Sequence, residues 1–148
     1  MAPNTAPIFS DLGRVSSVAI TAANVRTDGN GTVGTDIFLA FTPGAEGSLI
    51  TKAVWVPVNS TISTATTATV GRLYVATTNT GALTPGTNVW SIGEWTLPTQ
   101  TPTATAAVSP IVAQLNLILP SGYYLLASTH HAPAANTGQH LSVYGGDY

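Results

Sequence analysis

The sequence predicts an all-β fold, an antiparallel β-sandwich, on three observations. Short runs rich in Val, Ile, Thr and aromatic residues recur along the chain, Gly, Pro and Asn punctuate them, and no segment carries a convincing amphipathic helix pattern. About eight such runs can be placed, which suits two sheets packed face to face, with a jelly roll as the leading topology. At 148 residues the chain is the size of one domain, so we read residues 11–148 as a single sandwich preceded by an arm at residues 1–10.

The arm, MAPNTAPIFS, contains Pro3 and Pro7 and little that would anchor it to a core; two readings stand side by side, an arm that clasps a neighbour in an assembly and a frayed terminus. Ser16 to Val25 is the first strand. The turn Thr27-Asp28-Gly29-Asn30-Gly31 follows, with the Asp-Gly and Asn-Gly pairs of hairpin chemistry. Gly34 to Thr42 alternates, with Ile37, Leu39 and Phe41 on one face and Asp36, Phe38 and Ala40 on the other, and ends at Pro43-Gly44. Ser48 to Val58 alternates likewise, until Pro57 marks an edge or a bulge. Ala65 to Ala76 and Asn88 to Leu97 are the next two strands. The segments Thr77 to Thr87 and Pro98 to Pro110 break the pattern with Gly, Pro, Thr and Ala and are expected on the surface. Ala113 to Leu119, a turn at Pro120-Ser121-Gly122, Tyr123 to His130, a small-residue loop at Ala132 to Gly138 and Gln139 to Tyr144 complete the series.

Composition then narrows the function. Apolar residues are 44% of the chain, enough for a packed core. Charged residues are only 7%, against roughly 25% in ordinary soluble domains. A surface of Thr, Ser, Asn, Gly and Ala repels its neighbours weakly, which suits permanent contact with other subunits. Lys52, Arg14, Arg26 and Arg72 are scattered and the net charge is −2, so no basic stripe addresses nucleic acid. No cysteine is present, which excludes disulfides, thiolate metal sites and cysteine nucleophiles. Residues 1–10 lack the basic and apolar regions of a secretory signal, and the most apolar run, Ile111 to Leu119, is interrupted by Gln114 and Asn116, so synthesis in the cytoplasm and no membrane span are expected.

Chemistry-bearing motifs are sparse. Gly29-x-Gly31-x-x-Gly34 has the letters of a dinucleotide fingerprint, but Thr-Asp-Ile-Phe-Leu-Ala-Phe after it is a strand, where the motif needs a helix N-terminus. His130, His131 and His140, with Asp147, are the available metal ligands, yet adjacent histidines in a strand point to opposite faces unless the backbone turns, and no metal spacing is matched. No G-x-S-x-G elbow occurs. The carboxylates are Asp11, Asp28, Asp36, Glu46, Glu94 and Asp147, mostly in turns; Glu94, between Trp90 and Trp95, reads as a strand-edge acid beside core aromatics. Trp55, Trp90 and Trp95 with the five tyrosines would stack on sugars if exposed in a row, but burial is their commoner fate. The sequons at Asn30 and Asn59 read as chance. No cofactor, metal site or catalytic residue is assigned.

The segments Gly47-Ser-Leu-Ile-Thr-Lys-Ala-Val-Trp-Val56, Gly71-Arg-Leu-Tyr-Val75, Leu119-Pro-Ser-Gly-Tyr-Tyr-Leu-Leu-Ala-Ser-Thr-His130 and Tyr144-Gly-Gly-Asp-Tyr148 resemble small β-rich virion proteins of tailed bacteriophages and prophages, over residues 17–148. The resemblance implies a structural, non-enzymatic role on a capsid or tail. It favours a decoration or cement protein on the capsid surface, bound to the major capsid protein and to itself, as a trimer in preference to a dimer. The competing expectation is a glycan- or receptor-binding module of a tail or fibre. An enzyme, such as a polysaccharide-degrading one, would need two carboxylates converging roughly 5 to 10 Å apart and is the weakest reading. The interface residues expected are Pro3, Pro7, Ile8 and Phe9 of the arm, Pro43 and Glu46, Leu83 and Pro85, and Pro98 and Pro102.

Overall fold

A computed structural model describes residues 12–60 and 64–148, so the predicted arm at residues 1–10, with Pro3, Pro7, Ile8 and Phe9, lies outside the described residues. Ten strands occur among the described residues: β1 Leu12–Ile20, β2 Gly31–Val33, β3 Phe38–Phe41, β4 Ser48–Asn59, β5 Thr69–Ala76, β6 Gly81–Leu83, β7 Val89–Leu97, β8 Ile111–Leu119, β9 Tyr124–Thr129 and β10 Thr137–Asp147. The eight predicted strands correspond to all of these except β2 and β6, which are three residues each.

The eight main strands pair as nested partners, β1 with β10, β3 with β9, β4 with β8 and β5 with β7, all antiparallel. Such nesting is that of one long double strand folded over on itself. Rolling it up adds the pairs β10 with β4 and β5 with β9 and gives two four-stranded sheets, ordered β1-β10-β4-β8 and β3-β9-β5-β7. This is the jelly roll that the sequence suggested. The predicted edge at Pro57 also has its place. Beyond the last β4–β8 pair, Trp55 with Ile111, β4 keeps only β10 as neighbour, and Pro57 lies there.

The two sheets enclose a core of Ile20, Ala40, Phe41, Ile50, Trp55, Leu73, Leu97, Leu119, Leu125, Leu141 and Val143, with smaller alanines between them. Burying each large side chain stabilises the fold by about 1.5–3 kcal/mol. Trp55 is the largest of them, and Gly71 on the facing β5 makes its room, since a Cβ at Gly71 would stand 2.8 Å from the indole.

Three local expectations are corrected. The first strand is Leu12–Ile20 where Ser16 to Val25 was predicted, because after Ile20 the chain leaves β1 and crosses to the other sheet, where Ala23 bridges Thr129 and the Asn24 amide donates to the Thr129 carbonyl at 2.8 Å. The Asp-Gly and Asn-Gly pairs therefore form no hairpin, since β1 and β3 belong to different sheets. Gly29 does use its freedom, at φ 84°, but for close approach to Tyr74. Within Gly34 to Thr42 only Phe38–Phe41 is strand. The amides of residues 35, 36 and 37 turn back onto the Thr32 carbonyl, and a register break between Leu39 and Phe41 leaves Ala40 and Phe41 both buried, so strict alternation fails.

Candidate docking face

The outer sides of the two sheets differ. On the β3-β9-β5-β7 sheet, Tyr74, Ala76, Val89 and Leu126 point outward but are covered by Ile37, Val33 and Leu83, the latter two from the small sheet β2–β6. Leu83, an expected interface residue, is 2% exposed in that cluster and is not available as a surface contact. The predicted surface loop Thr77 to Thr87 misread it because a three-residue strand among Gly, Thr and Pro leaves no alternation to see.

The β1-β10-β4-β8 sheet has no such cover among the described residues. Its register aligns the outward side chains in rows. Val15, Tyr144, Lys52 and Gln114 form one, Ser17, Ser142, Val54 and Val112 the next, and Ala19, His140 and Val56 a third. Four strands span about 14 Å, three spacings of about 4.8 Å. Lys52 is the single formal charge in these rows, and its ammonium lies 4.9 Å from the centre of the Tyr144 ring, so that its charge is partly balanced in place. Val15 is 64%, Val112 45% and Ile118 64% exposed at the flanks of this face. The arrangement is a pleated surface of small, β-branched and hydroxyl side chains, and it can take an extended partner without desolvating ion pairs.

The expected interface loops do not form one patch. Pro43 and Glu46 lie between β3 and β4, and Pro85 between β6 and β7, at the end of the sandwich where β10 finishes. Pro98 and Pro102 lie between β7 and β8, at the opposite end. There Gln100 ties the loop down. Its amide donates to Thr66 Oγ1 at 3.0 Å, its carbonyl accepts from the Thr66 amide at 2.9 Å, and its side chain donates to the Ser109 carbonyl at 2.8 Å.

The polar clusters support the fold. Arg72 on β5, 3% exposed, donates from Nε to Glu94 Oε1 at 2.5 Å and from Nη1 to the Asn24 carbonyl at 3.1 Å, and its Nη2 lies 3.2 Å from His130 Nδ1. Guanidinium is only a donor, so His130 Nδ1 accepts. Glu94 is thus the half-exposed partner of a buried cation that holds the crossover segment, with the side chain of Trp95 packed on the core beside it. His130 and His131 do meet, with ring centroids 4.7 Å apart, because β9 ends at Thr129 and the chain bends there. No group of three metal-ligating side chains occurs among the described residues. Tyr74 OH lies 3.1 Å from Ser128 Oγ, and burial pushes the Tyr74 pKa up.

A second cluster binds the two chain ends of the sheet. Arg14 Nη1 donates to Asp147 Oδ2 at 2.9 Å and lies over Phe41, while Ser48 Oγ at 2.5 Å and the Gly44 amide at 3.2 Å donate to Asp147 Oδ1. Burial works against the Asp147 charge, but the hydrogen bonds from Ser48 and Arg14, the Arg14 charge and the Gly44 amide outweigh it and hold its pKa below the usual carboxylate range. No helix among the described residues is long and apolar enough to cross a membrane.

No protein-family model matches the chain, and no curated protein matches it. A solved structure titled "Structure of infectious bursal disease virus Gx strain" is similar at a TM-score of 0.29 and 11% identity, over 91% of this chain and 32% of that one. The chain thus spans less than two thirds of that neighbour. At that TM-score the likeness carries no argument, and the fold assignment rests on strand order alone.

Proposed function

We propose that this protein is a structural virion component that docks on the outer surface of a bacteriophage capsid as a decoration or cement protein, contacts the major capsid protein and its own copies, and acts without catalysis. The observation that carries the reading is the open, nearly uncharged face of β1-β10-β4-β8, in a chain whose other sheet covers itself. Such a face suits extended apolar and backbone contact, weak per copy and reinforced by repetition over a lattice. The trimer is the preferred state of self-association, and the capsid surface the preferred location. Light scattering on the isolated protein and co-sedimentation with particles of the same phage test this. An oligomer that saturates particles at a fixed ratio to the capsid subunit is expected; a monomer that stays in the supernatant overturns the reading.

One observation favours a second reading, a glycan- or receptor-binding module of a tail or fibre. Trp90 is 43% exposed near the start of β7, where its ring is free to stack on a sugar. Trp55 is buried and Trp95 packs on the core, so the three tryptophans do not form the row that a stacking platform would use. Retention on host polysaccharide that is lost in Trp90→Ala, with no retention on particles, would select this reading over the first.

A further inference from the structure

The chain has four basic side chains, and three of them meet a carboxylate of the same chain: Arg14 with Asp147 at 2.9 Å, Arg26 with Asp28 at 3.0 Å and Arg72 with Glu94 at 2.5 Å. Lys52 pairs with no carboxylate among the described residues. It stands, partly buried, on the outer face of the open sheet, in the row of Val15, Tyr144, Lys52 and Gln114.

Its placement is central and locally shaped. β4 is an inner strand, so Lys52 lies between β10 and β8, away from the sheet's edges. Both register breaks of β4 fall at Thr51, one against β10 at Tyr144 and Gly145, the other against β8 between Ile50 and Lys52. Thr51 Oγ1 donates to the Tyr144 carbonyl at 3.0 Å across the first of them. Such breaks twist a strand locally and re-aim the neighbouring side chain. Here the Lys52 ammonium lies 4.9 Å from the centre of the Tyr144 ring, and the next row, with Ser142 and Val54, carries no charge.

In water this arrangement is satisfied, because the ring meets the ammonium on one side and solvent meets it on the other. Docking removes the solvent. An ammonium has three N–H donors, and a ring face offers them no acceptor oxygen, so the charge would be buried with only part of its hydration replaced. A partner without a counter-charge would bind this face more weakly than the same face lacking the lysine. A partner with a carboxylate opposite Lys52 instead turns the lone cation into a point that fixes register.

We propose that the protein surface docked on the open sheet presents an aspartate or glutamate opposite Lys52, within an otherwise uncharged patch, and that this pair sets the register of docking. This rests on the docking reading above and names the chemistry of its partner.

Lys52 is the chain's single lysine, so carbodiimide coupling on particles carrying the protein reads the contact directly. The reagent activates a carboxylate, the Lys52 amine attacks its carbonyl carbon, and an amide forms while the reagent leaves as its urea, having taken up the elements of water. Mass spectrometry is expected to find Lys52 joined to an Asp or Glu of the capsid subunit. Retained protein in which Lys52 is joined only to its own chain's carboxylates, or to none, overturns the proposal. Co-sedimentation supplies the sign. Lys52→Met keeps an apolar stem of similar length and is expected to lower retention at least tenfold, because the partner's carboxylate is then buried alone, and Lys52→Glu lowers it further. Retention that holds or rises in Lys52→Met overturns the proposal. The unfolding midpoints of both isolated variants are expected within about 2 °C of the parent, which separates lost docking from lost folding. A parent protein that stays in the supernatant overturns the docking reading and this one with it. A parent that sediments, a Val54→Lys variant that does not and a Lys52→Met variant that does would leave the docking face standing and overturn the carboxylate alone.

Discussion

The two sheets of this sandwich share one core and differ on their outer sides. The chain spends β2, β6 and the crossover from Asn24 to Ile37 on covering β3-β9-β5-β7, and nothing among the described residues covers β1-β10-β4-β8. The difference is written into the strands. β9 is buried at five of its six positions and β5 at six of eight, whereas β1 and β8 alternate between exposed and sheltered along their length. The centre of the covered sheet is buried on both faces, although its edge strand β7 is exposed at five of nine positions, whereas the other sheet leaves one face open among the described residues.

The contrast is sharpest between a truncation on the covered face and a conservative change on the open one. Leu126→Ala removes a fully buried side chain from the covered face and is expected to cost about 2–5 kcal/mol in denaturant unfolding. Val112→Thr, a near-isosteric change on the open face, is expected to stay within about 0.5 kcal/mol. Equal costs would mean that the open face is covered in the isolated protein.

The cover itself is tested at Gly29. An alanine there must adopt φ 84° with its Cβ 3.0 Å from Tyr74 Cδ1 and 3.2 Å from Val89 Cγ2, so Gly29→Ala is expected to cost about 1–3 kcal/mol. Loss of amide-exchange protection confined to residues 24–37 and 81–89 would identify the cover as a separately opening unit; an unchanged stability would show that it is not seated on Tyr74.

How much of this was legible follows the same division. Period-2 alternation in β4 and the turn signals around the main strands gave the sandwich, because an open-faced sheet imposes that period. The covered sheet hides it. Phe38 to Phe41 is apolar on both sides, Tyr124 to Thr129 is buried at five of its six positions on either side, Ser128 and Thr129 included, and β2 and β6 are too short to show any period. The pairing Arg72 with Glu94 was likewise invisible, since it joins residues 22 apart through a cross-strand register that sequence spacing does not display. The open face was not legible for a different reason: loops rich in Pro, Thr and Gly drew the interface expectation to the two ends of the sandwich, while the rows through Ser17, Ser142 and Val54 exist only once four distant segments are aligned.

At the rim of the open sheet, Asp147 gives a pH-dependent comparison. Its pKa is depressed in the folded state, so its contribution is present above the unfolded carboxylate value of about 3.9 and is lost as pH falls through the lower folded value. Asp147→Asn is therefore expected to destabilise by about 1 kcal/mol at neutral pH, a modest figure because Arg14 is partly exposed, and the gap to the parent should close below about pH 4. A gap that persists unchanged into acid would assign the loss to packing around Gly44, where an added Cβ would stand 2.7 Å from Asp147 Cγ.

The smallest effect on folding should accompany a loss of docking. Val54→Lys and, separately, Ser142→Lys place a second cation in rows that now hold only Lys52, with their side chains free to extend into water, and each is expected to leave unfolding within about 0.5 kcal/mol. Docked against a partner, the same ammonium must be desolvated without a counterion, and retention on particles is expected to fall at least tenfold. The comparison depends on both numbers together. Unchanged folding with lost retention assigns the open sheet to a partner, whereas unchanged folding with full retention moves the contact to the sandwich ends, where Pro43, Glu46, Pro98 and Pro102 lie.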